Sequence, residues 1–320
     1  MSRKIGYLYI ALATLIFSFA EIALKSVNGI FDPLQLTMLR FLIGGLALIP
    51  FARQSLRKRG ERLGRKDIAR LPLTGLFCVT LGMVFYQLAL IDTKASVVAV
   101  VFAGNPIFIT AFAALFLGEK IYRRNIIALV FVVLGIVVIM EPWNAEAELG
   151  GIVPAILSAL LFACYSVLGK RLSARVGGIV VTCGSFLMGS LELLALLLLG
   201  RTAGGAALLT GCGLSVLVDV PFVQGIGWST LAAFAYICLI NTAGGFVFHM
   251  LAMEKTSAQE ASLVFFIKPA LAPLLAWLIL HEEITGNLKL GIVCFLTASA
   301  VSILPGLIRY RREKAQKTMA

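Results

Sequence analysis

The stretch ALIDTKASVVAVVFAGNPIFITAFAALFLGEKI, residues 89–121, decides the fold, because the chain contains it twice. Moved by 163 residues, it falls on AMEKTSAQEASLVFFIKPALAPLLAWLILHEEI, residues 252–284, and 11 of the 33 positions are identical without a gap. Chance gives about three such matches for these compositions. Thr93/Thr256, Ala95/Ala258, Pro106/Pro269, Glu119/Glu282 and Ile121/Ile284 are among the pairs, and Gly82 matches Gly245 at the same shift. A shift of 145 aligns an earlier part of the chain through Leu15/Leu160, Phe17/Phe162 and Lys25/Lys170. The two shifts differ because the second half carries a longer connection around residues 201–227.

Each copy is almost wholly apolar, and so is the chain around it. Of 320 residues, 60% are hydrophobic and 14% charged, against about 45–50% and 25% in soluble domains. Such a chain cannot cover a water-facing surface, which excludes an ordinary soluble enzyme, a disordered protein and a disulfide-stapled secreted one. None of the six cysteines forms a C-x-x-C pair and five sit inside apolar runs, so they read as small core residues. The net charge of +12 lies in short segments between apolar runs. It therefore points to membrane orientation, and no nucleic-acid partner is expected.

A helix needs about 20 apolar residues to cross the hydrocarbon layer. Ten candidate spans follow: Tyr7–Leu24, Pro33–Phe51, Leu71–Leu90, Ala95–Leu117, Asn125–Met140, Gly151–Leu168, Ile179–Leu199, Trp228–Met253, Ala258–Leu280 and Leu288–Ile308. The first follows Arg3 and Lys4 as a signal peptide would, but is read as an uncleaved helix. With the N-terminus inside, 22 of the 28 Lys and Arg fall on inner segments and four, Lys25, Lys94, Arg201 and Lys289, on outer ones. This predicts a multi-pass inner-membrane protein with both termini cytoplasmic. The acidic loop 141–148 then lies outside. Five spans per copy is an odd number, so the second copy enters the bilayer from the opposite side. The fold expected is all-α and integral to the membrane, with ten transmembrane helices in two inverted five-helix repeats, residues 1–145 and 146–320. Inverted copies can exchange conformations, which is alternating access at a central site.

The paired stretches 89–121 and 252–284 resemble the repeats of EamA-type transporters in the drug/metabolite transporter superfamily, and the resemblance runs from the first span to the last. Its most recognisable feature is Pro106 followed by Gly118–Glu119; the second copy departs from it with His281 in place of the glycine. The resemblance implies ten helices and secondary transport, usually export of amino acids, other metabolites or drugs, and specifies the scaffold better than the substrate.

Polar side chains inside spans are costly and mark candidate sites. Lys268 is the eleventh residue of its span, followed by Pro269 and Pro273. A cation at that depth costs about 2.5–3.5 kcal/mol and needs an anion, water or carbonyls. One reading is a substrate carboxylate site; the other is a buried pair with Glu21, Glu192 or Glu260. Asn105, its counterpart in the first copy, also precedes a proline. It is read either as part of a shared midplane cavity or as an interhelical hydrogen bond. Phe102 and Phe265 share the faces of Asn105 and Lys268 and are candidate walls of a pocket. Asn241, Tyr165 and Tyr86 are further candidates for orienting a ligand, and Gly244–Gly245 beside Asn241 permit close helix approach. Glu21 reads first as an i,i+4 partner of Lys25 and second as a proton-coupling carboxylate. Arg40 and Glu192, each eighth from the outer end of its span, are expected to form a structural ion pair. His249 lies near a span end and is expected to face solvent. Glu119 and Glu282 are expected to hold the turns that follow them.

Nothing resembles a nucleophile triad, a zinc quartet or a phosphate loop. No metal or cofactor is expected, and energy for transport would come from a gradient or from exchange. The reading is a transporter exporting a small metabolite, an amino acid or related carboxylate first, whose partners are that substrate and the bilayer, with a homodimer left open. Alternatives are a broad drug or organic-anion exchanger and, from other classes, a membrane enzyme or a channel.

Overall fold

A computed structural model describes residues 2–140, 149–298 and 300–301. The acidic loop 141–148 and the basic C-terminal segment counted above therefore lie outside the described residues. Those described form helices and connecting turns, without a strand.

Seven helices are long and apolar enough to cross a membrane: α1 (Lys4–Lys25), α2 (Pro33–Arg59), α3 (Arg65–Asp92), α4 (Ala95–Leu117), α6 (Gly150–Val176), α7 (Gly178–Gly200) and α9 (Leu231–Lys255). Between them lie α5 (Arg123–Met140) and α8 (Ala203–Gly211). After α9 come α10 (Val264–Leu280), preceded by the single turn Ala258–Ala261, and the shorter apolar α11 (Gly286–Ala298). Seven of the ten expected spans fall on these seven helices; the other three fall on α5, α10 and α11, and the tenth runs on past residue 301, outside the described residues.

Local chemistry sets the ends. At α2 the Asp32 carboxylate accepts hydrogen bonds from the backbone N–H of Leu34 and Gln35, at 2.9 and 3.0 Å, and Pro33 opens the first turn. Asp at this position satisfies donors that a helix start leaves without partners. Arg57, Lys58 and Arg59 fill the last turn, and Gly60 closes it with φ +66°, as the helix dipole and a left-handed cap favour. α4 breaks between Phe102 and Asn105, before Pro106. α1 breaks at Phe19. α3 and α9, the third spans of the two copies, each widen into a π-helical stretch, Leu76–Met83 and Tyr236–Gly244. In α3 this frees the Gly82 carbonyl, which accepts a hydrogen bond from Ser158 Oγ of α6 at 2.6 Å.

Apolar side chains point outward all along the bundle, Leu8, Leu15, Leu115 and Val293 among them, each more than half exposed. That is the surface a hydrocarbon solvent accepts. Helix contact inside relies on small residues instead. Gly75 of α3 and Gly189 of α7 face one another so closely that a Cβ on either would come within 2.6 Å of the other's backbone. Ser185 Oγ donates to Thr74 Oγ1 at 2.7 Å one turn away. The connection 201–227 is itself folded: α8 and the turn Ser215–Leu217 build a separate apolar cluster on Leu34 and Met38 of α2 and Leu193 and Leu197 of α7.

Replacing Gly189 by Ile is therefore expected to push α3 and α7 apart and to lower stability by about 1–3 kcal/mol. Thermal unfolding in detergent measures this; an unchanged midpoint would mean that the close approach is not a constraint.

Candidate functional site

A small cavity of about 30 Å³ lies at the centre, where α1, α2, α3, α4, α6, α9 and α10 converge. Its polar lining is Arg40, Tyr86, Asn241 and Lys268. Phe17, Phe102, Phe162 and Phe246 make its aromatic wall. Phe17 and Phe162 are the pair that the 145-residue shift aligns, so both copies contribute the same residue to one cavity. A larger groove of about 190 Å³ between α4 and α5 is lined without a single charged side chain, so the central cavity is the candidate site.

Lys268 is 2% exposed and its ammonium forms an ion pair with Glu21 Oε1, itself 0% exposed. The Tyr86 hydroxyl donates to the same oxygen. The ammonium also lies 5.0 Å from the centre of the Phe102 ring. Of the readings the sequence left for Lys268, the structure realises the pair with Glu21 while keeping the residue on the cavity wall. The expected Glu21–Lys25 pair does not form. Lys25 instead donates to the carbonyls of Leu90 and Thr93, at 2.6 and 2.9 Å, closing the end of α3.

The expected Arg40–Glu192 pair is also corrected. Equal depth along two spans does not by itself bring two side chains into contact. Glu192 accepts a hydrogen bond from Thr80 Oγ1 at 2.8 Å. Arg40 is 3% exposed, its guanidinium lies 4.7 Å from the Phe41 ring centre, and its Nε and Nη2 have no hydrogen-bond partner. Asn241, from the π-helical stretch of α9, is 2% exposed with Nδ2 unpartnered.

Asn105 does not join them: its Nδ2 donates to the Ala159 carbonyl of α6 at 2.6 Å, the interhelical bond that was the other reading. Tyr165 and Phe265 stand one layer back. Tyr165 packs edge-on against Phe162 at 5.6 Å, and Phe265 packs on both Phe102 and Phe162. His249 is fully buried between Phe162 and Phe265, with Nε2 3.3 Å from Ser166 Oγ, and does not face solvent. Phe17, Ala20, Met83, Phe162 and Phe246 are lining residues that sequence reasoning missed. Apolar residues inside apolar spans carry no signal that separates a cavity wall from ordinary packing.

The ends of α4 and α10 carry a second arrangement. Glu282, just past α10, accepts from the backbone N–H of Ala95 and Ser96 and from Ser96 Oγ, at 2.9, 3.1 and 2.7 Å. Glu119, just past α4, accepts from the Ala258 N–H at 3.1 Å and lies 3.6 Å from the Lys170 ammonium. Each glutamate thus caps the start of the other copy's helix rather than the turn that follows it in sequence. Because the two contacts sit at opposite ends of α4, α4 and α10 run antiparallel. Lys170 completes the correspondence by donating to the Met253 and Thr256 carbonyls at 3.1 and 2.8 Å, the counterparts of Leu90 and Thr93. Gly118 and His281 adopt the same left-handed conformation before the two glutamates, φ +67° and +56°.

The model of the EamA-like transporter family matches residues 4–141 and 149–304. An uncharacterized transporter of Clostridium kluyveri is 33% identical over 307 residues, 93% of each chain. The pseudopaline exporter CntI of Pseudomonas aeruginosa is 32% identical over 174 residues, 54% of this chain and 59% of that protein. A solved crystal structure superposes with a TM-score of 0.65, covering 94% of this chain and 98% of the other at 23% identity, and so shares the fold.

Breaking a buried ion pair by removing one partner costs about 3–5 kcal/mol, whereas replacing both with apolar residues is close to neutral. Lys268→Met and Glu21→Leu are each expected to destabilise strongly, and the double variant to recover most of the loss in thermal unfolding. Additive losses would mean that the two side chains are not coupled.

Proposed function

Because the chain belongs to the EamA-like transporter family, we propose that it is a secondary transporter exporting a small metabolite, an amino acid or related carboxylate first, by alternating access of two inverted halves. On this reading residues 1–145 and 146–320 each supply five transmembrane helices to a ten-helix inner-membrane protein with cytoplasmic termini. The distribution of Lys and Arg and the antiparallel run of α4 and α10 support that topology.

The observation that carries the reading is the central cavity, walled by both copies, containing buried charge, and latched at both ends by Glu119 and Glu282. Every carboxylate-to-helix contact in these latches crosses from one copy to the other. A rocking motion that opens one end breaks one latch and keeps the other, which is the minimum an alternating carrier needs. Export as the direction draws support from the likeness to an exporter over 54% of the chain.

Glu21 is the coupling carboxylate in this scheme. Proton transfer to it removes the counter-ion of Lys268 and leaves an ammonium in a low-dielectric cavity, a state that favours hydration or a substrate anion. A proton entering from one side is thereby linked to the binding state of the cavity.

Reconstitution into proteoliposomes, screened with amino acids and organic acids with and without a proton gradient, tests the proposal. Saturable counterflow accelerated by the gradient is expected. Glu21→Gln is expected to keep counterflow and lose the acceleration. Single-channel currents, or a Glu21→Gln protein still driven by the gradient, would count against it.

A further inference from the structure

We infer that Arg40 and Asn241 form an anion-binding subsite for an amphipathic monoanion, with Phe17, Phe162 and Phe246 as the surface for its apolar body. The inference deepens the transport reading and rests on it for the site's role, but its test measures binding alone.

The argument is one of charge and hydrogen-bond capacity. Among the described residues, three charged side chains belong to the cavity and its immediate shell: Arg40, Lys268 and Glu21. Lys268 and Glu21 cancel in charge; Lys268 and Tyr86 both reach Glu21 Oε1, and Oε2 has no hydrogen-bond partner. Arg40 is left as one positive charge without a counter-ion. The ionisable side chains around it are Tyr86, Cys78 and Cys238, none of them a carboxylate. Arginine stays protonated in proteins and has donors but no acceptor. Two of its nitrogens, Nε and Nη2, lack partners, as does Asn241 Nδ2, and both residues line the same space.

Buried polar groups are nearly always paired. Here the orphans on these two residues are all donors, at one place, beside an unneutralised charge. An oxyanion satisfies the three of them together, and a guanidinium matches the planar fork of a carboxylate in particular. One net positive charge selects one negative charge. The facing wall is aromatic, so the remainder of the ligand is apolar or at least flat enough to lie on phenyl rings.

An arginine kept for structure and one kept for a ligand behave differently when removed. A structural ion loses a partner and the fold weakens. A charge buried without a partner costs desolvation in the empty protein, and its removal relieves that cost.

The test uses the full chain in detergent, with benzoate as the probe, benzamide as its uncharged counterpart and phenyl phosphate as the dianion. Benzoate is expected to raise the thermal midpoint of the wild-type protein in a saturable way, benzamide to have no effect and phenyl phosphate a smaller one. Arg40→Met, which keeps the aliphatic stem, is expected to unfold at or above the wild-type midpoint without ligand and to weaken benzoate binding about tenfold or more. Asn241→Leu is expected to weaken it less, and provides a second reading of the site. Equal stabilisation by benzoate and benzamide, an Arg40→Met protein that still binds benzoate normally, or a fall in its ligand-free midpoint overturns the inference. Stronger stabilisation by phenyl phosphate than by benzoate overturns the single-charge assignment. Arg40-dependent benzoate binding in a protein that transports nothing would leave this subsite standing and remove the transport reading. Transport without any dependence on substrate charge would do the reverse.

Discussion

Inside a bilayer an ammonium group has no bulk water to turn to, and in this protein Lys268 meets that constraint with the carboxylate of Glu21 and, through it, the hydroxyl of Tyr86. The cost of isolating any of the three is several kcal/mol, so α1, α3 and α10 are tied to one point. The aromatic wall has the same origin. Phenyl rings packed edge-to-face from α1, α4, α6, α9 and α10 surround the charges with polarisable surface that does not compete for their hydrogen bonds. What remains open beside them is small, polar on one side and apolar on the other.

Repetition supplies the frame around that point. Lys25 and Lys170 close the third spans of the two copies through matching carbonyls, and Glu119 and Glu282 cap the starts of each other's partner helices. The copies diverge in their centre, where one carries Asn105 and the other Lys268. The frame is thus nearly symmetric while the site is not, and a carrier needs both properties. In the proposed alternating-access scheme, symmetry makes the two end states similar in energy and asymmetry gives the substrate a definite orientation.

Much of the frame was legible in the sequence, because apolar runs of membrane length and an ungapped repeat are strong one-dimensional signals. Lys268 stood out for the same reason. Its partner did not: depth along a span can be counted, but the direction in which a side chain leaves the helix depends on packing between spans. Arg40 and Glu192 illustrate the limit, counted to equal depth along their spans and yet not paired. Glu119 and Glu282 illustrate another, since a repeated residue looks local until both copies are seen together. The π-helical turns in α3 and α9 were not legible either. They shift the register that a 3.6-residue period assumes, and Asn241 comes from one of them.

Under the proposed scheme the cavity opens to one side only when the opposite end is latched, and distances between spin labels report this most directly. One pair, on Tyr122 and Arg171, sits near the Glu119 latch; the other, on Lys94 and Glu283, near the Glu282 latch, and all four positions are exposed. As the proton gradient or a transported substrate shifts the protein between states, one distance is predicted to lengthen while the other shortens or stays fixed. Simultaneous widening at both ends would describe a pore, and its observation would contradict the account.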